Sequence, residues 1–327
     1  MIKFSSRPNL KYPIQLVLWN ILREYEILLI NYFFGLNKLL IYTPLMFIGE
    51  ILAGSIFYLY QKQFLSEREK IEPIRFMNIE YNQTERHFSR KFGIKTYFLL
   101  ITSAFCDFLE FSLSLQISKF TNISISLEKI LRGIVTIDNA LFCYYILRLP
   151  LFKHHFFSLI LIGICLVLVL ITEFIFQEIN IFLSYGELVL AIVFIFIIQL
   201  VNALEESIQK YLYEYNQLNP FFVLMCEGIF GFAITFFYCL FYNPFDAIIK
   251  FYNKNSKSEF GWLIFCFILY ILLSGGKNTF RIVTTTCFSP MTTTFMDYVI
   301  NPSYIILYFY WDMILKQKVK LIKHILQ

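Results

Sequence analysis

The chain has 327 residues, of which 58% are hydrophobic and 20% aromatic, a net charge of +5 and a mean hydropathy of +0.62. Such a composition excludes a sizeable soluble catalytic core, and so modest a charge, spread over loops and tails, excludes a nucleic-acid surface; the lipid bilayer is the expected partner. Seven cysteines lie in or beside apolar stretches without CxxC spacing, and the four histidines form no ligand cluster, so neither a metal site, a cofactor nor a disulfide framework is expected.

The first 37 residues show no cleavable signal peptide. Their apolar piece, Tyr12–Asn20, is short and is soon followed by Arg23, Glu24 and Glu26. Residues 14–35 remain open as a first span with a charged middle. A span needs about 20 apolar residues, and eight stretches satisfy this: about 39–60, 96–118, 123–147, 154–177, 182–204, 219–242, 259–276 and 290–313. The expectation is an all-α polytopic bundle, with residues 1–327 forming a single membrane domain. Lys and Arg concentrate in the loops 61–95, 148–153, 205–218 and 277–289, thirteen against four in the loops between them. The positive-inside rule puts those four loops on one side. Both tails are basic as well, which eight spans do not explain.

Several apolar stretches carry isolated charges: Asp107, Glu110, Arg132, Asp138, Glu173, Glu227 and Asp297. A charge at the centre of a spanning helix costs roughly 2.5–3.5 kcal/mol even on insertion scales, so each needs a partner or a wet cavity. Asp107 and Glu110, three apart, share a helix face. Glu128 and Arg132, four apart, share another; they either anchor a span end or turn Arg132 towards an anionic solute. Glu205-Glu206 falls at a span end, as a solvated pair or as a gate. Glu227 lies deeper and needs a partner, for which Arg132 and Lys129 are the candidates. From Asn278 to Asp297 hydroxyls are dense, with Thr284 to Thr286 and Thr292 to Thr294 flanking Pro290. They either satisfy backbone freed by the proline or line a polar path.

The order Gly49-Glu50, Cys106-Asp107, Leu131-Arg132-Gly133, Leu204-Glu205-Glu206, Glu227-Gly228 with Gly231, Asn278, and Ser289 to Asp297 resembles the solute carrier 35 transporters, F branch, of the drug/metabolite transporter superfamily. The resemblance covers about residues 39–313. It implies ten helices in two inverted repeats, here about 39–177 and 182–313, with the first and last spans shortened or missing. It also implies a central cavity working by alternating access, in an endomembrane (Golgi, lysosome or vacuole) or a mitochondrial membrane. Carried over, Asp107, Arg132, Asn278, Thr292 and Asp297 are the expected substrate-binding residues, and Glu205, Glu206 and Glu227 the gating or coupling residues. Thr286, Thr293 and Ile300 stand where the pattern carries basic residues, which weakens a nucleotide-sugar reading.

The expected function is therefore secondary transport of a small polar or anionic solute. No phosphate-binding loop is present, so exchange or an ion gradient would drive it. The alternative is a transporter-derived structural subunit of a larger membrane complex; a homodimer is a further possible assembly. A lipid-modifying enzyme would want His or Asp clusters, and none stands out.

Overall fold

The computed structural model describes residues 11–34, 42–64, 93–120, 131, 133–148, 151–176, 185–216, 218–241, 253, 257–288, 290, 292, 293 and 296. Among these the chain forms eight α-helices: α1 (Lys11–Phe34), α2 (Tyr42–Phe64), α3 (Ile94–Phe120), α4 (Gly133–Tyr145), α5 (Lys153–Phe176), α6 (Tyr185–Glu214), α7 (Pro220–Phe241) and α8 (Lys257–Cys287). Five of them, α2, α3, α6, α7 and α8, contain stretches long and apolar enough to cross a membrane. The outward faces are apolar: Phe156, Phe157 and Ile164 on α5, Phe236 and Phe237 on α7, and Trp262 and Phe265 on α8 are all exposed. In water such faces would drive association, whereas hydrocarbon solvates them. This is the build of a multi-pass helical membrane protein.

Helices α2, α3, α5 and α7 match the spans expected at 39–60, 96–118, 154–177 and 219–242. Residues 121–130 and 297–327 lie outside the described residues, as does most of the span expected at 290–313. Two expected loops need correction. The reading of 205–218 as a loop fails because α6 continues to Glu214, and that of 277–289 fails because α8 continues to Cys287. Hydropathy falls at Glu205 and Lys277, but the backbone ladder does not depend on polarity. Both helices continue through these charges, with Glu205, Glu206, Lys210 and Arg281 buried inside the bundle and Lys277 half-buried.

The N-terminal segment, left open as a first span, forms a helix, α1, of 24 residues, about 36 Å long at 1.5 Å per residue, though it is not among the helices apolar enough to cross a membrane. Tyr12 and Leu16 pack with Phe280, Val283 and Cys287. Ile30 packs with Leu263 and Tyr270. Helix α1 therefore runs antiparallel along most of α8. Its facing is inside out: Ile14, Leu18 and Leu22 are exposed, while Asn20, Arg23 and Glu26 are buried. Apolar outside and polar inside suits a lipid surround. Mean hydropathy misses such a helix because its charges are hidden by neighbours.

One end of the bundle is tied by side chains. Asn219 caps α7, its Oδ1 accepting from the Phe221 N–H at 2.9 Å, with Pro220 at the first helical position. Asn219 also donates to Gln61 Oε1 on α2 at 2.7 Å. Asn216 donates to Thr96 Oγ1 on α3 at 3.0 Å, and Tyr215 O–H to the Leu147 carbonyl beyond α4 at 3.0 Å. The α6–α7 turn, the end of α2, the starts of α3 and α1, and the ends of α4 and α8 thus share one end. The basic N-terminal tail leads into that end.

Neighbouring helices follow the order α1, α8, α2, α7, α3, α6, α4, α5, and α8 also meets α7 and α6. Two close approaches set the middle of this series. A Cβ on Gly275 would stand 2.6 Å from the Gly49 carbonyl oxygen, so α2 and α8 touch backbone to backbone. A Cβ on Gly54 would stand 2.7 Å from the Met225 nitrogen on α7. Small residues are how membrane helices gain such contact. We predict that Gly275→Ala lowers stability by about 1–3 kcal/mol through overpacking. Gly163→Ala on α5, where nothing lies within 4 Å of the added carbon, should be tolerated. Thermal unfolding of the purified variants in detergent checks both.

Candidate functional site

The five membrane-competent helices are also the ones that place carboxyl, amide and basic groups at the centre of the bundle. Helix α2 contributes Glu50, α3 Ser103 and Asp107, and α6 Glu205, Gln209 and Lys210. Helix α7 contributes Glu227, and α8 Asn278 and Arg281. All are buried.

The network centres on Arg281. Its Nη2 lies 2.8 Å from Glu205 Oε1, with the Arg281 and Glu205 side chains only 5% and 1% exposed. Glu205, Asp107, Glu50 and Glu227 all act on the same guanidinium electrostatically. Gln209 Nε2 bridges two of these acids, 2.8 Å from Glu205 Oε1 and 3.0 Å from Glu227 Oε2. Ser103 O–H donates to Glu227 Oε1, and Asn278 Nδ2 to Glu50 Oε1. A buried ion pair compensates its desolvation only when further hydrogen bonds hold it; Gln209 supplies one to Glu205, while Ser103 and Asn278 hold the neighbouring acids. Even so, four carboxyls share one guanidinium. In a low-dielectric interior they cannot all be charged without protons or a cation to offset them.

Beside this centre, Glu206 accepts from Asn139 Nδ2 of α4 at 2.7 Å. Lys210 lies at the end of α8. Its Nζ donates to the carbonyls of Thr285, Thr286 and Phe288 at 2.9, 3.2 and 3.0 Å and pairs with Glu214 at 3.1 Å. Carbonyls of a last helical turn lack helical partners and carry partial negative charge, so a buried ammonium both satisfies and neutralises them. The threonine hydroxyls act locally. Thr279, Thr285 and Thr286 bond back to the carbonyls of Gly275, Arg281 and Ile282 at 2.8, 3.0 and 2.7 Å, and Thr285 meets Thr293 at 3.0 Å. These hydroxyls bond within their own helix, and the carbonyl of Thr286, four residues before Pro290, accepts from Lys210.

Of the expected site residues, Asp107, Glu205, Glu227 and Asn278 come together around Arg281, and Glu206 lies next to them on α6. The solvated reading of Glu205-Glu206 is excluded, because each is 1% exposed. Thr292 is half-buried beyond the end of α8, next to Thr293. Arg132 and Asp297 lie outside the described residues, as does Lys129. Glu227 accepts hydrogen bonds from Ser103 and Gln209, neither of which was anticipated. Arg281 and Lys210 were missed because both were assigned to loops. Arg281 stands three residues after Asn278 and four before Thr285, a polar helical stripe continuing the preceding apolar run; that spacing was the available signal.

No protein family, curated protein or solved structure matches the chain.

Two substitutions separate the parts of the network. Ser103→Ala removes a donor from buried Glu227 and should cost about 1–3 kcal/mol. Lys210→Met, which strands the α8 carbonyls, should cost at least as much. Thermal unfolding in detergent reads both, with the wild-type protein as reference.

Proposed function

We propose that the chain is a secondary transporter of a small polar solute, working by alternating access between two inverted repeats. The observation that carries this reading is the placement of buried charge. Five helices apolar enough to cross a membrane each bring polar or charged side chains to one shared centre. Intramembrane charges on that scale are costly to insert and mark solute or ion pathways.

Two features support a repeat. Glu50 and Gly54 on α2 and Glu227 and Gly231 on α7 have the same four-residue spacing, and these two helices pack on each other. Around that pair, α1 packs on α8 while α6 packs on α3. With α1–α5 as one repeat and α6 opening the other, exchanging the repeats carries α1 into α6, α2 into α7 and α3 into α8. The first repeat then gains α1 relative to the boundary of about residue 39. The motif order that resembles the solute carrier 35 transporters points the same way.

The excess of carboxyls favours a neutral or cationic solute over an anionic one. A bare anion would meet Glu50, Asp107, Glu205 and Glu227 with Arg281 already engaged. Reconstitution into proteoliposomes with labelled lysine, putrescine and a nucleotide sugar tests this. Uptake of lysine or putrescine is expected, and Glu227→Gln should reduce it by about tenfold, the worth of one charge-assisted contact. Failure of all three, with the folded protein held in a large particle from its own membrane, would favour the structural-subunit reading instead.

A further inference from the structure

We infer that Asp107, Glu110 and Glu205 form a binding site for a hard, oxygen-ligated metal cation at the α3–α6 contact. One carboxylate oxygen from each residue lies within 4.8 Å of the others. Oxygens so spaced can be drawn onto one ion at about 2.3–2.6 Å, the range of calcium-type coordination, with small side-chain adjustments. An all-carboxylate donor set selects hard cations over thiophilic or imidazole-seeking metals.

A second observation points to a ligand. Glu205 is 1% exposed, and while its Oε1 takes Arg281 and Gln209, its Oε2 has no hydrogen-bond partner among the described residues. A buried carboxylate oxygen without a donor is costly, and a cation is the group that satisfies it. Glu50 on α2, 1% exposed, leaves its Oε2 orphaned in the same way, and Asp107 acts on it electrostatically. Arg281 acts on Glu50 electrostatically, while its Nη2 bonds Glu205 Oε1. A metal ion would supply the positive charge that the centre lacks.

The three ligands differ in access. Glu205 is fully enclosed, Asp107 is 8% exposed and Glu110 is half-buried at the rim. An ion can therefore enter past Glu110 and settle on Glu205 after shedding water. The spacing explains why α3 carries two acids one turn apart. Asp107 and Glu110 present oxygens from one helix face, and α6 closes the site from across the contact. Binding is a property of the folded protein and does not depend on the transport reading.

The test is thermal unfolding of the full chain in detergent, desalted and then titrated with calcium, magnesium or sodium chloride. Choline chloride at equal ionic strength is the control. The expected result is a rise of about 3 °C or more with at least one metal over choline. The rise should be lost in both Asp107→Asn and Glu110→Gln. The metal that acts distinguishes a divalent from a sodium site. No rise over choline in the wild-type protein would overturn the proposal. If Asp107→Asn fails to fold, Glu110→Gln decides alone, since its side chain lies at the rim. A full metal-dependent rise retained in folded Glu110→Gln would also overturn it. Because unfolding is read without any solute, a negative result here leaves uptake in proteoliposomes a separate question.

Discussion

One guanidinium holds the centre of this bundle. Arg281 lies deep in α8, paired with Glu205 at 2.8 Å and facing carboxyls from α2, α3 and α7 as well. Without it, acids on four different helices would face one another across an interior that screens poorly. With it, they draw those helices to a common point. Gln209 adds a hydrogen bond to Glu205, while Ser103 and Asn278 hold the neighbouring acids Glu227 and Glu50. The apolar faces decide that the helices enter a membrane, and the polar centre decides how they meet there.

Close backbone contact is what makes that meeting possible. Gly49 and Gly275 bring α2 against α8, and Gly54 and Gly228 bring α2 against α7. Glu50 and Glu227 adjoin two of those glycines in sequence, so the contacts that set helix spacing also deliver the acids. Lys210 closes one end by holding the last carbonyls of α8. A single proton, ion or polar solute at this centre would alter the field at every acid together.

How much of this was legible in the sequence depended on whether a local average carried the information. Helices α2, α3, α5 and α7 have long apolar runs broken only by isolated charges, and their limits were readable to within a few residues. Asp107, Glu227 and Asn278 stood out as polar groups in apolar surroundings, and they do converge. The ends of α6 and α8 were not readable, because Glu205, Lys210, Lys277 and Arg281 look like loop residues to a hydropathy window. Arg281 with Glu205 and Lys210 with Thr285 find partners more than 70 residues away, which a local window does not see. Helix α1 was obscured for the same reason, with Arg23 and Glu26 buried against neighbours the local sequence does not show. The pairing of Glu227 followed no proximity rule either. Ser103 is 124 residues distant and ordinary in composition, and only the packing of α3 on α7 makes it a partner.

The central claim is that Arg281 and Glu205 are a coupled pair on which the bundle depends, and a double-mutant cycle measures it directly. Unfolding of Arg281→Met, Glu205→Met and the double variant would be followed in one detergent. Each single change strands a buried charge and should cost about 3–5 kcal/mol, whereas the double variant removes both and should cost clearly less than the sum. Losses that simply add, or single variants as stable as the parent, would contradict the account.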